Sequence, residues 1–303
     1  MRIAVIGAGA MGGLFGARLA NAGHELAFVE VSEPTIEVIR AGGLRLLGEG
    51  TDIHVWPEIG RANHFTDPFD LLIVFTKGFH TAKAIDDVRH LLTPSTWVLS
   101  VQNGLGNAEL ISRTVSRDRI IVGMTDYPAQ LQAPGTVYSQ GHGRIKIWSF
   151  TGEIVSRVMV IAGLFDDAGL RCSADPQVEV FIWEKLAFNA ALNSICAVSG
   201  LTVGEVASAQ GGREMAMAVA REAVSVALAN GVSVDDVRIM ASIDHAFVHH
   251  ATHKPSMLQD VEAGRRTENE FIAGAIVKKG LSAGVHVPVT QCLHALIGMK
   301  ELL

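Results

Sequence analysis

The sequence predicts an α/β protein, with an N-terminal doubly wound sheet over residues 1–173 and an all-helical domain over residues 174–303. Three observations carry this reading. Short apolar runs alternate with helically spaced segments through about residue 125. A glycine-rich turn follows the first run directly. Beyond about residue 154 the pattern turns helical and long stretches lack internal proline. Near-continuous apolar strands separated by helices indicate a parallel sheet covered on both faces. At about 100–200 residues per domain, a chain of 303 residues suits two domains.

The elements follow in order. Arg2 to Ile6 is a β-rich apolar run ended by glycine, and helical spacing follows over 11–22 until Gly23 stops it. Residues 24–31, 69–76, 97–102 and 119–124 read as the next strands. Residues 136–150 hold two strand-like runs around Gly141-His142-Gly143, which predicts an antiparallel hairpin closing the sheet. Residues 178–199, 203–230, 234–250 and 267–283 predict long helices, with Gly231, Gly284 and Pro288 at their ends.

Composition excludes several classes of function. Hydrophobic residues make up 49% and charged residues 18%, too apolar for a disordered chain. A net charge of −6 gives no excess of Lys and Arg to neutralise phosphates, so no nucleic-acid partner is expected. Cys172, Cys196 and Cys292 are widely spaced and form no C-x-x-C, which favours a reducing compartment. The uncharged run 3–17 is interrupted by Gly7, Gly9, Gly12, Gly13 and Gly16, a phosphate-binding turn rather than a secretory leader. The uncharged run 186–204 carries Asn189 and Asn193, so it reads as a buried helix of a water-soluble protein rather than a membrane span. A cytoplasmic protein with no membrane partner is expected.

Gly7-Ala-Gly9-Ala10-Met11-Gly12 is a G-x-G-x-x-G motif between a strand and a helix. The first glycine permits the turn, the second lets the backbone approach a pyrophosphate, and the third allows close helix packing. The helix N-terminus offers its N–H groups to the phosphates. Glu30 lies at the end of the second strand, where a carboxylate bonds ribose hydroxyls and repels a 2′-phosphate. The cofactor is therefore NAD or NADP, with NAD favoured; a Glu30 that merely faces solvent is the bland alternative. Lys77 follows the third strand, and Gln102-Asn103-Gly-Leu-Gly-Asn107 follows the fourth. Ligands bind beyond the carboxyl ends of such strands, so Lys77 and Asn103 are candidate contacts to cofactor or substrate. The bland alternatives are a surface lysine and an ordinary Asn-Gly turn.

Lys185, Asn189 and Asn193 are spaced at i, i+4 and i+8, which places all three on one face of a largely apolar helix. A buried lysine is paired or loses its proton, and either makes it a candidate general acid. The competing reading is a snorkelling lysine with two satisfied core asparagines. Glu268 is expected in the first turn of the 267–283 helix, where a carboxylate can serve the helix dipole alone. Ser256, after Pro255, reads by itself as an N-cap.

With these motifs in place, the chain resembles the ketopantoate (2-dehydropantoate) reductases over nearly its whole length. The landmarks are GAGAMG at 7–12, Thr76-Lys77, QNGLGN at 102–107, W-x-K-x-x-x-N-x-x-x-N at 183–193, SMLQD at 256–260 and R-x-T-E at 265–268. The resemblance implies a Rossmann-like domain, a helical C-terminal domain and an active site in the cleft between them. It implies that Lys185 is the general acid on the ketone oxygen and that Glu268 binds substrate and orients the lysine. Asn103, Asn189, Asn193 and Ser256 would contact the substrate, and a homodimer is implied. Two departures stand out: Glu30 sits where most members carry a basic residue suited to NADPH, and Ile272-Ala273-Gly274 replaces I-N-G.

His245, His249 and His253 share a helical spacing, but no Glu follows in the H-E-x-x-H manner and Pro255 ends the segment, so no metal is expected. The sequence thus points to nicotinamide-dependent reduction of a small 2-oxo acid, most simply 2-dehydropantoate to pantoate. The alternatives are an NAD-dependent D-2-hydroxyacid dehydrogenase for another branched or aromatic 2-oxo acid, and a non-enzymatic dinucleotide sensor. A sensor has no reason to keep Lys185, Asn189, Asn193 and Glu268 together.

Overall fold

The structure is a computed structural model describing residues 1–302. It divides into two compact units: Met1–Gln102 with Asn107–Val178, and Asn103–Gly106 with the chain from Glu179 onward.

The first unit holds β1 (Arg2–Ile6), α1 (Ala10–Asn21), β2 (Glu25–Val29), α2 (Glu33–Gly42), β3 (Leu44–Gly48), β4 (Thr51–Val55), β5 (Glu58–Gly60) and β6 (Leu71–Val74). It continues with α3 (Thr81–Asp87), β7 (Trp97–Ser100), α4 (Asn107–Ile111), β8 (Ile120–Thr125), β9 (Gln130–Ala133), β10 (Thr136–Tyr138), β11 (Ile145–Ser149), α5 (Ser156–Asp167) and β12 (Cys172–Ala174). The main sheet runs β12-β11-β8-β7-β6-β1-β2-β5. Its pairs are parallel except β11 against β8. The central strands are buried on both faces, with Ile3, Ala4, Val5 and all of β6 inaccessible, as covered parallel strands require. The chain winds one way from β1 to β2 and the other from β6 through β7 to β8. The topological switch point therefore lies between β1 and β6, where an open α/β sheet binds ligands.

The predicted hairpin at 136–150 does not form. β10 joins a separate sheet of order β4-β3-β10-β9, while β11 pairs with β8 and β12 in the main sheet. The 139–144 segment is a crossing between sheets: Gly143 lies so close to Tyr127 that an added Cβ would sit 2.5 Å from its ring. The small sheet packs on α1, with Val137 against Gly13. This explains why AMGGLFGARLA is apolar nearly all round: the helix is covered from two sides.

The second unit is built from α6 (Val178–Ser199), α7 (Val203–Ser208), α8 (Gly212–Ala229), α9 (Asp236–His249), α10 (Ser256–Glu262), α11 (Ala273–Ala283) and α12 (Pro288–Lys300). The expected single helix over 203–230 is two. α7 opens with a capping box between Thr202 and Glu205, and the chain breaks at Ala209-Gln-Gly211 before α8. The expected helix over 267–283 is also shorter. Residues 267–268 are non-helical, Asn269–Phe271 is one 3-10 turn, and α11 begins at Ala273. Thr267 donates its N–H and hydroxyl to Glu301, and its hydroxyl oxygen accepts from the Asn269 N–H, which opens a 3-10 turn rather than an α-helix. One core joins Trp183, Leu186 and Ala190 of α6, Met257 and Leu258 of α10, Ile272, and Leu293 and Ile297 of α12. Each of the Leu, Ile and Met side chains stabilises the unit by about 1.5–3 kcal/mol when fully buried. Among the described residues, no helix is long and apolar enough to cross a membrane.

Candidate active site

In the first unit the glycine turn has the shape its sequence requires. Gly7 has φ +100°, and its N–H donates to the Val29 carbonyl at 2.9 Å. A Cβ on Gly12 would lie 1.9 Å from the Gly7 carbonyl oxygen, so the turn and α1 touch backbone to backbone. Gly9 faces open space, with nothing within 4 Å of where a Cβ would stand. Among the described residues none caps α1 by its side chain, and its first turn carries no acid. The leading amides, over Ala10, Met11 and Gly12, are therefore suited to an anion. A pyrophosphate fits this cradle.

Glu30 does not merely face solvent. Its Oε2 accepts from the Ala8 N–H at 2.8 Å, and its Oε1 accepts from the Val31 and Ser32 N–H groups at 2.7 and 2.9 Å. The half-buried carboxylate is thereby fixed beside the glycine turn. Lys77 follows β6 in the next loop, and Phe75 just before it backs the glycine turn, its carbonyl 3.3 Å from a Cβ built on Gly7. A polar network that sequence reasoning missed sets the loops after β6 and β7. Gln102 Nε2 donates to the Thr76 carbonyl at 2.7 Å and to Thr81 Oγ1 at 2.8 Å. Ser100 Oγ donates to Gln102 Oε1 at 2.8 Å, and Thr81 Oγ1 to Asn107 Oδ1 at 3.1 Å. The only signal in the sequence was a cluster of small polar residues at two strand ends.

In the second unit Lys185, Asn189 and Asn193 lie along α6 as the spacing requires. Lys185 and Asn189 are half-buried and Asn193 is buried. Neighbouring Ser194 is also buried, and its hydroxyl has no hydrogen-bond partner among the described residues. Deeper in the helix, burial and then the Glu205 charge push the Cys196 thiol up to about 12, so it is no nucleophile.

The Asn103 loop belongs to this unit and is locked to the segment that carries Glu268. Leu105 N–H donates to the Phe271 carbonyl at 2.9 Å. Gly104 comes so close that a Cβ would lie 2.2 Å from that same oxygen. Glu268 is buried and flanked by buried Thr267 and Asn269. It precedes a single 3-10 turn rather than opening an α-helix, so the helix-dipole reading loses its helix. Ser256 is the first residue of α10 and exposed; Pro255 occupies the cap position, so Ser256 is not the N-cap. Asp260, at the end of the SMLQD motif, is buried against Arg265 Nε at 3.0 Å.

The His245 and His249 rings lie 4.3 Å apart on α9. Among the described residues, no group of three or more His, Cys, Asp or Glu is arranged to hold a metal ion.

Comparison with known proteins gives the same motifs a context. The 2-dehydropantoate 2-reductase of Archaeoglobus fulgidus is 33% identical, over 98% of this chain and 96% of its own. That of Streptococcus pyogenes serotype M1 is 30% identical, over 99% of this chain and 98% of its own. Among solved structures, the ternary complex of a D-mandelate dehydrogenase with NADH and anilino(oxo)acetate aligns with a TM-score of 0.94 at 28% identity, covering 99% of this chain and 98% of that one. The family described as "Ketopantoate reductase PanE/ApbA" matches residues 3–152, and its C-terminal counterpart matches residues 177–301. A glycine turn built for a dinucleotide, the lysine and asparagine stripe on α6, and these matches across both units place the chain in the ketopantoate reductase family.

Proposed function

We propose that the protein reduces a 2-oxo acid to a 2-hydroxy acid with a nicotinamide cofactor, with 2-dehydropantoate as the first substrate to test. The observation that carries this reading is the polar stripe Lys185, Asn189 and Asn193 on the largely apolar α6, in the same unit as Glu268 and the Asn103 loop. The carboxylate and carbonyl oxygens of a 2-oxo acid offer acceptors to an ammonium and two amides set in one row on a helix face.

The bound nicotinamide supplies hydride to the carbonyl carbon. The Lys185 ammonium donates a proton to the carbonyl oxygen as negative charge develops there, a contribution typically worth about 10²–10⁴-fold. Asn103, Asn189, Asn193 and Ser256 bind the substrate's carboxylate and hydroxyl groups. Glu268 accepts a hydrogen bond from substrate or Lys185 and favours the ammonium form. Gly7, Gly9, Ala10, Met11 and Gly12 hold the pyrophosphate, and Glu30 accepts from the ribose hydroxyls. In the reverse direction Lys185 takes the proton back.

Glu30 supports NAD over NADP. Its three backbone hydrogen bonds keep a fixed negative charge where a 2′-phosphate has to sit. The same feature, with the likeness to a D-mandelate dehydrogenase solved with NADH, favours a second reading: a D-2-hydroxyacid dehydrogenase for an aromatic or branched 2-oxo acid. A cytoplasmic homodimer completes the proposal. Exposed Leu296 and Met299 on α12 support an interface there, and light scattering on the purified protein tests it.

The deciding experiment follows NADH and NADPH oxidation on a panel holding 2-dehydropantoate, phenylglyoxylate and branched 2-oxo acids. Highest kcat/KM on 2-dehydropantoate supports the first reading, and highest kcat/KM on phenylglyoxylate the second. No turnover of any 2-oxo acid refutes both.

A further inference from the structure

The end of α12 makes two adjacent connections, each to an element bearing a proposed catalytic group. Lys300 Nζ donates to the Ala197 carbonyl at 3.0 Å. Ala197 lies in the last turn of α6, whose final carbonyls have no intrahelical partner, and an ammonium there also meets the negative end of the helix dipole. The next residue, Glu301, turns the other way. One of its oxygens, Oε1, accepts from both the Thr267 N–H at 2.8 Å and the Thr267 hydroxyl at 2.5 Å. Thr267 immediately precedes Glu268. On the far side of Glu268, Asn269 Nδ2 donates to the His294 carbonyl, again on α12, at 2.9 Å.

Glu268 is therefore held from both flanks by α12 and the residue that caps its C-terminal end. That helix also grips the end of the helix carrying Lys185, Asn189 and Asn193. The segment 267–271 has little regular structure of its own, one 3-10 turn, so these side-chain bonds do what a helix would otherwise do. They are charge-assisted at Glu301 and Lys300, roughly twice as strong as neutral ones.

We propose that Glu301, with Lys300, is a positioning residue of the reductase: it sets Glu268 through Thr267, while Lys300 fixes the C-terminal end of the α6 helix that carries Lys185. The proposal rests on the reading of Lys185 and Glu268 as site residues. Neither Glu301 nor Lys300 lies in a motif that the sequence singles out. They become visible only when α12 is placed beside the 267–271 segment.

The test measures kcat and KM for the best 2-oxo acid across pH, NADH affinity by fluorescence, and the melting temperature. The variants are Glu301→Ala, Glu301→Gln, Thr267→Val and Glu268→Gln. A misplaced catalytic group costs roughly 10–100-fold, so Glu301→Ala should lower kcat/KM by that amount and move the pH at which activity falls. NADH affinity should be unchanged. Glu301→Gln should recover part of the loss, because its amide oxygen still accepts from Thr267. Thr267→Val keeps the shape and the N–H bond to Glu301 but removes both hydroxyl bonds, the one donated to Glu301 and the one accepted from the Asn269 N–H at 3.1 Å; it should move the same parameters and serves if Glu301→Ala does not fold. Unaltered KM and pH profile in Glu301→Ala and Thr267→Val, with only a lower melting temperature, would overturn the proposal while an impaired Glu268→Gln kept the site reading. A wild-type Glu268→Gln would overturn both together.

Discussion

Replacing Glu30 removes three hydrogen bonds and a charge at once, and the variants Glu30→Gln and Glu30→Ala separate them. The carboxylate accepts from Ala8, Val31 and Ser32 at 2.7–2.9 Å. Hydrogen bonds to a charged group are worth about 1.5–3 kcal/mol each when buried. Glu30 is half-exposed, so water replaces much of that, and about 1–2 kcal/mol in total is the reasonable expectation. Glu30→Ala should therefore weaken NADH binding by roughly 5–30-fold, by loosening the glycine turn as well as by losing the ribose contact. Glu30→Gln keeps one acceptor oxygen and the side-chain volume, so NADH should lose less. Both variants remove the repulsion of a 2′-phosphate and should gain activity with NADPH by about tenfold. The assay is kcat/KM with each cofactor at fixed 2-oxo acid, with NADH affinity from fluorescence quenching. A wild-type preference for NADPH, or an unchanged cofactor ratio in Glu30→Gln, would refute the reasoning.

Three further outcomes follow from the geometry. Gly12→Ala should abolish detectable cofactor binding and destabilise the first unit, because its Cβ would stand 1.9 Å from a backbone oxygen; fluorescence titration and a thermal melt check it. Thiol titration of the native protein at pH 7.5 should find one fast-reacting cysteine, Cys292. Burial holds Cys172 and Cys196 up to about 12, and full reactivity should appear only on unfolding. Burial alone would raise the Asp175 carboxyl, but the Lys146 ammonium at 2.6 Å and the Gln177 N–H outweigh it and hold it below its ordinary value. A depressed folded-state pKa stabilises above the unfolded value, about 3.9, and that contribution is lost as pH falls through the lower folded value. Asp175→Asn should thus be less stable than wild type at pH 7, with the gap closing below about pH 4 in denaturant melts.

Periodicity and glycine placement made the sheet and α6 legible. Val178–Ser199 stands where its spacing put it, because an apolar face with polar heads every fourth residue has one helical solution. The main strands stand where their apolar runs lie, shortened at their ends. The second sheet was not legible. Gln130–Ala133 is exposed throughout and Thr51–Val55 alternates only partial burial, so neither carries a strong apolar signal. The two runs beside Gly141 look like a hairpin locally, and only long-range pairing with β3 and β8 separates them. The break before α8 did have a local signal, the pair Gly211-Gly212, set inside an otherwise helical pattern. At the site, Lys185, Asn189 and Asn193 show themselves because one helix orders them. Glu268 was visible as a residue but misplaced onto a helix, because the groups that stop helix formation there, Thr267 and Glu301, lie 34 residues apart. Polar networks closed by tertiary contact leave no periodicity to read.

The most direct test of proton donation from α6 is steady-state and single-turnover kinetics of Lys185→Ala with NADH and the best 2-oxo acid. Losing a positioned acid while the cofactor cradle stays intact should lower kcat by roughly 10²-fold or more with NADH affinity unchanged. Lys185→Arg should not restore it, since a guanidinium is a poorer proton donor of different shape. A Lys185→Ala protein that turns over at the wild-type rate, or that loses NADH affinity with kcat intact, would contradict that role.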